Sequence, residues 1–243
     1  MSEAAPKVQI GLLLFPQLLL LDLVGPWEVF SSVPGASTHL VWKTREPVQA
    51  AKGMCALPTT TFAECPPLDV LCIPGGPGVA ALLDDAETLD FVRRQADQAR
   101  YTTSVCTGSL MLGAAGLLHQ RRAACHWLSL DMLKAFGAIP VDERVVIDGN
   151  LVTGGGVTAG IDFALQLASV IWGPAVAQSV QLGLEYAPHP PFDAGSPHTA
   201  PAGIVAAVRA GSAAMQAQRQ LLVQQAADRL ARSSGNPAGG TPP

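Results

Sequence analysis

Charge is scarce in this chain. Only 14% of its 243 residues are Asp, Glu, Lys or Arg, and the formal net charge is −4. This excludes the basic footprint that a binder of nucleic acid or of an anionic membrane needs. Long hydrophobic runs are missing as well. The leucine clusters at 12–14 and 18–21 are interrupted by Phe15-Pro16-Gln17 and then by Asp22, so no stretch reaches the roughly 20 residues of a membrane span. Lys7 stands near the N-terminus, but no apolar signal core with a small-residue cleavage site follows, and a cytoplasmic location is expected. The five cysteines (55, 65, 72, 106 and 125) are odd in number and irregularly spaced, without CxxC, HExxH or a Cys/His cluster. A disulfide framework and a zinc site are thereby excluded, and a reduced, metal-free protein is expected.

Apolar residues are plentiful, at 49% of the chain, enough for a large core. Strand-like runs alternate with helical ones, the pattern of a mostly parallel sheet covered on both faces. Strands are predicted at 8–15, 38–43, 68–73 and 102–105, with short hairpins over 48–60 and 145–153, the latter around Asp148-Gly149-Asn150. Helices are predicted from Gly25-Pro26, where proline suits a first turn, and after an Asp84 or Asp85 cap. Further helices are expected from Gly108 to Gly116, at 128–136, 159–171 and 175–186, and over 204–232. One domain is expected over 1–232, and the Gly/Pro-rich tail 233–243 has a disordered composition.

In open α/β sheets, ligands bind beyond the carboxyl ends of the strands. Residues 17–22, 74–78 and 106–108 sit at such ends, and Gly154–Val157 can join them. Cys106 stands between a buried strand and a small-residue helix, in Val105-Cys106-Thr107-Gly108, the arrangement of a nucleophile elbow. A helix N-terminus offers dipole and N–H donors that favour a thiolate. The other four cysteines read as inert, since most free cysteines are small buried hydrophobes. Asp22, the one acid in an apolar stretch, either caps the first helix or is a desolvated carboxyl that relays protons at Cys106. Gly76-Pro77-Gly78-Val79-Ala80-Ala81 imitates a dinucleotide loop, but Pro77 removes a needed N–H and no acid follows the next strand. His126 is a further candidate base, whereas His119, His189 and His198 read as surface residues.

Ile73-Pro74-Gly75-Gly76, Ser104-Val105-Cys106-Thr107-Gly108, Ala114-Ala115-Gly116-Leu117-Leu118 and His126-Trp127 together resemble the ThiJ/PfpI (class I glutamine-amidotransferase-like) superfamily. Leu21-Asp22-Leu23, the segment Thr153 to Phe163 and Glu185-Tyr186-Ala187-Pro188 are most similar to its isocyanide hydratase branch. The resemblance spans about residues 8–232. It implies a flavodoxin-like three-layer α/β sandwich and a homodimer. It also implies cofactor-free addition of water to a small-molecule isocyanide, giving an N-substituted formamide through a thioimidate. By position, it implies Cys106 as nucleophile, Asp22 as general acid/base and the Thr107 hydroxyl near the site. The backbone of Gly76, Thr107 and Val157, with Gly155 and His126, is expected to line the site.

Other branches fit less well. Protease-type relatives place His after the cysteine, where Thr107 stands, and glutaminase relatives need a late His-x-Glu that neither His189 nor His198 supplies. Glyoxalase or deglycase relatives, which act on methylglyoxal, use Glu in the first loop, one methylene longer than Asp22. Regulator relatives add a helix-turn-helix domain, and the residues after Pro201 are too few for one. A thiol-based redox sensor is the remaining non-enzymatic alternative.

Overall fold

A computed structural model describes residues 7–233. In chain order the elements are β1 (Val8–Leu13), α1 (Leu20–Ser31), β2 (Ala36–Trp42), β3 (Val48–Gln49), β4 (Cys55–Ala56), β5 (Thr60–Thr61) and β6 (Val70–Ile73). Next come α2 (Val79–Leu82), α3 (Ala86–Gln98), β7 (Tyr101–Val105), α4 (Gly108–Ala114), β8 (Arg122–Ala123), a 3₁₀ segment (Leu130–Phe136) and β9 (Ile139–Pro140). The chain closes with β10 (Val145–Asp148), β11 (Leu151–Gly154), α5 (Ala159–Trp172), α6 (Pro174–Gly183) and α7 (Ala202–Ser233). Residues 234–243 of the expected tail lie outside the described residues, and Ser233 itself ends α7.

Seven strands form one sheet in the order β10-β11-β7-β6-β1-β2-β5, parallel throughout except for the β10–β11 hairpin. Helices α1, α5 and α6 pack together on one face, and α3, α4 and α7 cover the other. This is the expected flavodoxin-like three-layer sandwich. The central strands β6 and β11 are buried along their whole length, as parallel strands covered on both faces must be. In β7 the buried polar residues are satisfied locally: Thr103 Oγ1 donates to the Leu71 carbonyl at 3.0 Å, and Ser104 Oγ meets Ser109 Oγ at 2.8 Å. The register pairs Ile73 with Ser104 and Val105 with Gly154. The loops after β6, β7 and β11 therefore emerge side by side.

Helix α1 departs from the expected start near Gly25. It begins at Leu20, and Pro26 lies in its interior. The Leu19 N–H is held by the Gly75 carbonyl at 2.9 Å, and the Asp22 N–H closes the first turn on the Leu19 carbonyl at 3.0 Å. Pro26 removes one helical bond, but α1 is packed tightly on α5. A Cβ at Gly25 would stand 3.1 Å from Ile161, and one at Gly160 would stand 3.1 Å from Pro26. Burial of that face outweighs the missing bond. Asp22 thus sits inside the first turn, where a negative charge is favoured by the helix dipole, and it does not cap the helix. The segment expected as an α-helix at 128–136 is 3₁₀, ending as expected at a left-handed Gly137. Asp85, of the two candidate caps, accepts from the Thr88 N–H. Among the described residues no helix is long and apolar enough to cross a membrane.

Candidate active site

Two residues separate β7 from α4, and the first, Cys106, has φ = 57°. A side chain in the left-handed region is held there at about 1–2 kcal/mol of strain. The Cys106 N–H is anchored on the Gly154 carbonyl at 3.0 Å. At Gly108 a Cβ would collide with the Ile73 carbonyl oxygen, so only glycine lets the helix start this close to β6. Ser109 Oγ donates to the Ala124 carbonyl at 2.6 Å, and the Ala124 N–H donates to Thr153 Oγ1 at 2.8 Å. The elbow is thus tied to β11 and to the segment that carries Cys125 and His126.

Asp22 is fully buried beside this elbow. Its Oδ2 accepts from the Gly75 N–H at 2.9 Å, and its carboxyl is in hydrogen-bonding contact with the Cys106 thiol. The other oxygen, Oδ1, is buried and has no N–H or O–H partner. Loss of water raises the Asp22 pKa from the ordinary 3.8 to about 7, although the Gly75 N–H and the thiol both favour its charge. The Cys106 thiol moves the same way. Burial, then the Asp22 charge, then Cys125 push it well above its ordinary 9.0, against a Thr107 N–H that favours the thiolate. The helix-end contribution toward a thiolate is thus opposed by larger contributions from burial and Asp22. One helix-end N–H does not outweigh burial beside a carboxylate, and the balance at the sulfur is shifted toward the thiol.

Thr107 and Gly76 engage each other. The Gly76 N–H donates to Thr107 Oγ1 at 3.0 Å, and Thr107 Oγ1 lies 3.3 Å from the Gly76 carbonyl to which it donates. Neither group is a free donor, so Thr107 braces the loop against the elbow. Thr107→Val removes the acceptor of a buried N–H. It is expected to destabilise the fold by about 1–3 kcal/mol, read as a lower urea midpoint with an unchanged slope.

Cys106 opens onto a cavity of about 130 Å³, lined also by Leu19, Gly76, Thr107, His126, Val157 and Arg219. His126 accepts the Leu128 N–H on Nδ1 at 3.3 Å, which leaves its proton on Nε2. Burial and the nearby Arg219 charge both lower its pKa, so the ring is neutral. Gly155, expected at the site, does not line this cavity. Its N–H is taken by the Arg144 carbonyl at 3.0 Å, which turns that peptide into the loop wall. A larger surface groove of about 480 Å³ between α1 and α6 has no ionisable side chain in its lining.

The residues that sequence patterns missed come from α7: Met215, Gln216 and Arg219 line the same cavity. Arg219 is only 6% exposed. One signal was available. Arg219 shares the buried stripe of α7 with Val223, Ala226 and Ala227, and a charge in register with an apolar stripe is rarely a surface charge.

A parallel sheet ending in a strained Cys106 elbow, with a buried carboxyl against the thiol, defines a cysteine-centred α/β class. The DJ-1/PfpI family model matches residues 8–170, and the chain belongs to that family. It is similar to the isonitrile hydratase of Pseudomonas putida, 57% identical over 92% of this chain and 98% of that protein. It also resembles the crystal structure of a ThiJ/PfpI family protein from Pseudomonas syringae, with TM-score 0.87 and 43% identity over 92% and 97% of the two chains. A glutathione-independent glyoxalase of Caenorhabditis elegans is 28% identical over 56% of this chain and 73% of its own.

Proposed function

We propose that this protein adds water to isocyanides to give N-substituted formamides, with Cys106 as nucleophile and Asp22 as the group that moves protons. The observation that carries this reading is the Asp22–Cys106 pair: a fully buried carboxyl in hydrogen-bonding contact with the elbow thiol, its pKa raised by burial to about 7. The near-full-length similarity to the Pseudomonas putida hydratase supports the substrate class.

Isocyanide carbon accepts both a nucleophile and a proton. In the first half-reaction the Asp22 carboxylate takes the thiol proton as sulfur attacks that carbon, then delivers the proton to the same carbon. The S–C bond forms, the S–H bond breaks, and the product is the thioimidate R–N=CH–S–Cys106. In the second half, water adds to that carbon and a proton reaches nitrogen, giving R–NH–CH(OH)–S–Cys106. The C–S bond then breaks, the hydroxyl proton returns to sulfur through Asp22, and R–NH–CHO leaves. One carboxyl serves as base and acid in turn, which suits a pKa near neutrality. The Thr107 N–H is placed to support negative charge on sulfur during attack.

The same reading takes the protein as a cytoplasmic homodimer that needs no cofactor. A redox sensor calls for an accessible thiolate, whereas Cys106 is buried and its pKa is pushed up. The test is an assay of purified protein for formamide from an alkyl isocyanide, with methylglyoxal in parallel. Formamide formation with little loss of methylglyoxal is expected. Consumption of methylglyoxal with isocyanide left untouched would overturn the reading in favour of a glyoxalase.

A further inference from the structure

Helix α7 brings a cation into the cavity beside Cys106 that the chemistry above does not use. Among the described residues no carboxylate pairs with Arg219. Its Nη1 donates to Ser129 Oγ at 3.0 Å. With the Gln216 amide oriented to satisfy both its ends, Nη1 also donates to Gln216 Oε1 at 3.0 Å, while Gln216 donates to the Leu128 carbonyl and to Ser129 Oγ. Ser129, 1% exposed, is itself held by its N–H on the His126 carbonyl at 2.8 Å. This frame fixes the guanidinium from one end. The Arg219 Nε–H is buried and has no protein acceptor.

A buried, rigidly held charge with an unmet donor is costly unless some state of the site satisfies it. The acceptors on the reaction path are unequal. The isocyanide nitrogen has no lone pair to offer and its carbon accepts weakly, and the imine nitrogen that the thioimidate adds takes up a proton as water attacks. A strong oxygen acceptor exists only once water has attacked, in the carbinolamine and then in the formamide. Donors aimed at charge that develops late lower the barrier of the late step alone.

We propose that Arg219 is a catalytic residue of the second half-reaction, the guanidinium edge that lines the cavity binding the oxygen that comes from water. It stabilises the hydroxyl-bearing intermediate as water adds to the thioimidate and as the C–S bond breaks. Cys106 and Asp22 carry the first half without it. The inference rests on the isocyanide reading, and its test separates the two.

The test follows an alkyl isocyanide in single-turnover and steady-state experiments on Arg219→Met, with adducts on Cys106 read by intact-protein mass. Steady-state turnover should fall about 10²-fold, the usual effect of losing one such donor. Adduct formation should stay within about threefold of wild type, so that protein carrying the added mass of one isocyanide accumulates. Arg219→Lys keeps the charge without the planar guanidinium that Ser129 and Gln216 hold in place, and it should show the same accumulation; it carries the comparison if the Met variant fails to fold. Adduct formation slowed as much as turnover, or turnover left unchanged, would overturn the role of Arg219. Wild type that yields no formamide at all overturns the underlying function instead, and with it this inference.

Discussion

Cys106→Ala is expected to abolish formamide formation, with a loss of at least about 10⁴-fold in kcat, because no other group can form the covalent intermediate. The fold should survive the change. Alanine has no need of the space the thiol fills, and the strain at φ = 57° is present in both proteins. Cys106→Ser is the sharper variant. A hydroxyl is far harder to deprotonate than a thiol, and the only base in contact has a pKa of about 7. The serine variant should therefore be as inactive as alanine, with no adduct by mass. Measurable turnover in either variant would remove Cys106 from the mechanism.

Asp22→Asn is expected to separate activity from stability. The amide oxygen can still accept from the Gly75 N–H, so the loop geometry is kept, but no proton can be taken or returned. Turnover should fall by about 10³–10⁴-fold, at the upper end of what general acid–base catalysis contributes. Stability should move the other way at alkaline pH. The unfolded chain ionises Asp22 near 3.8, whereas the folded chain does so near 7. Between those values the folded state holds a proton that the unfolded state releases, so stability falls as pH rises through the window. By pH 8 the folded protein bears a buried carboxylate at a disadvantage of about 4 kcal/mol. Asn removes that charge, and the variant should be more stable than wild type by about 2–4 kcal/mol at pH 8, with little difference near pH 4. Paired urea titrations at the two pH values check this. An equal effect at both would show that Asp22 is not the titrating group. In wild type, the same ionisation should make kcat/KM fall about tenfold per pH unit below 7, as the base is lost.

The trade is a familiar one for active sites. In the proposed mechanism the group that performs the chemistry is placed where the fold alone would not choose it. Asp22 Oδ1 and Arg219 Nε, both on residues around the Cys106 site, are buried polar atoms without protein partners.

Much of this was legible along the chain. Alternating apolar runs identify a parallel sheet because each strand buried on both faces must be apolar throughout. Val105-Cys106-Thr107-Gly108 is readable as an elbow because only small residues fit where a helix starts against a neighbouring strand, and the collision that a Cβ at Gly108 would make with the Ile73 carbonyl is that requirement made concrete. Asp22 stood out because an acid within an apolar run has either a structural bond or a task; here it has the bond to the Gly75 N–H, and the proposed mechanism gives it the task.

The charge states were not legible, since a pKa is the sum of burial and neighbours delivered by segments far apart in sequence. The helix-end argument at Cys106 saw one local N–H; the fold adds burial, Asp22 from α1 and Cys125 from beyond α4. Nor was the start of α1 legible, because the packing of Gly25 on Ile161 that overrides Pro26 is a long-range contact. Gly155 looked like a free donor in a glycine run until the Arg144 carbonyl took its N–H. The sequence alone determined that a cysteine elbow and one buried acid share the carboxyl edge of a parallel sheet, because those signals are local. Only the tertiary structure decided that burial pushes the thiol pKa up, that the acid is raised toward neutrality and that α7 lines the cavity with Arg219. Each of these depends on which distant surfaces exclude water from the same few atoms.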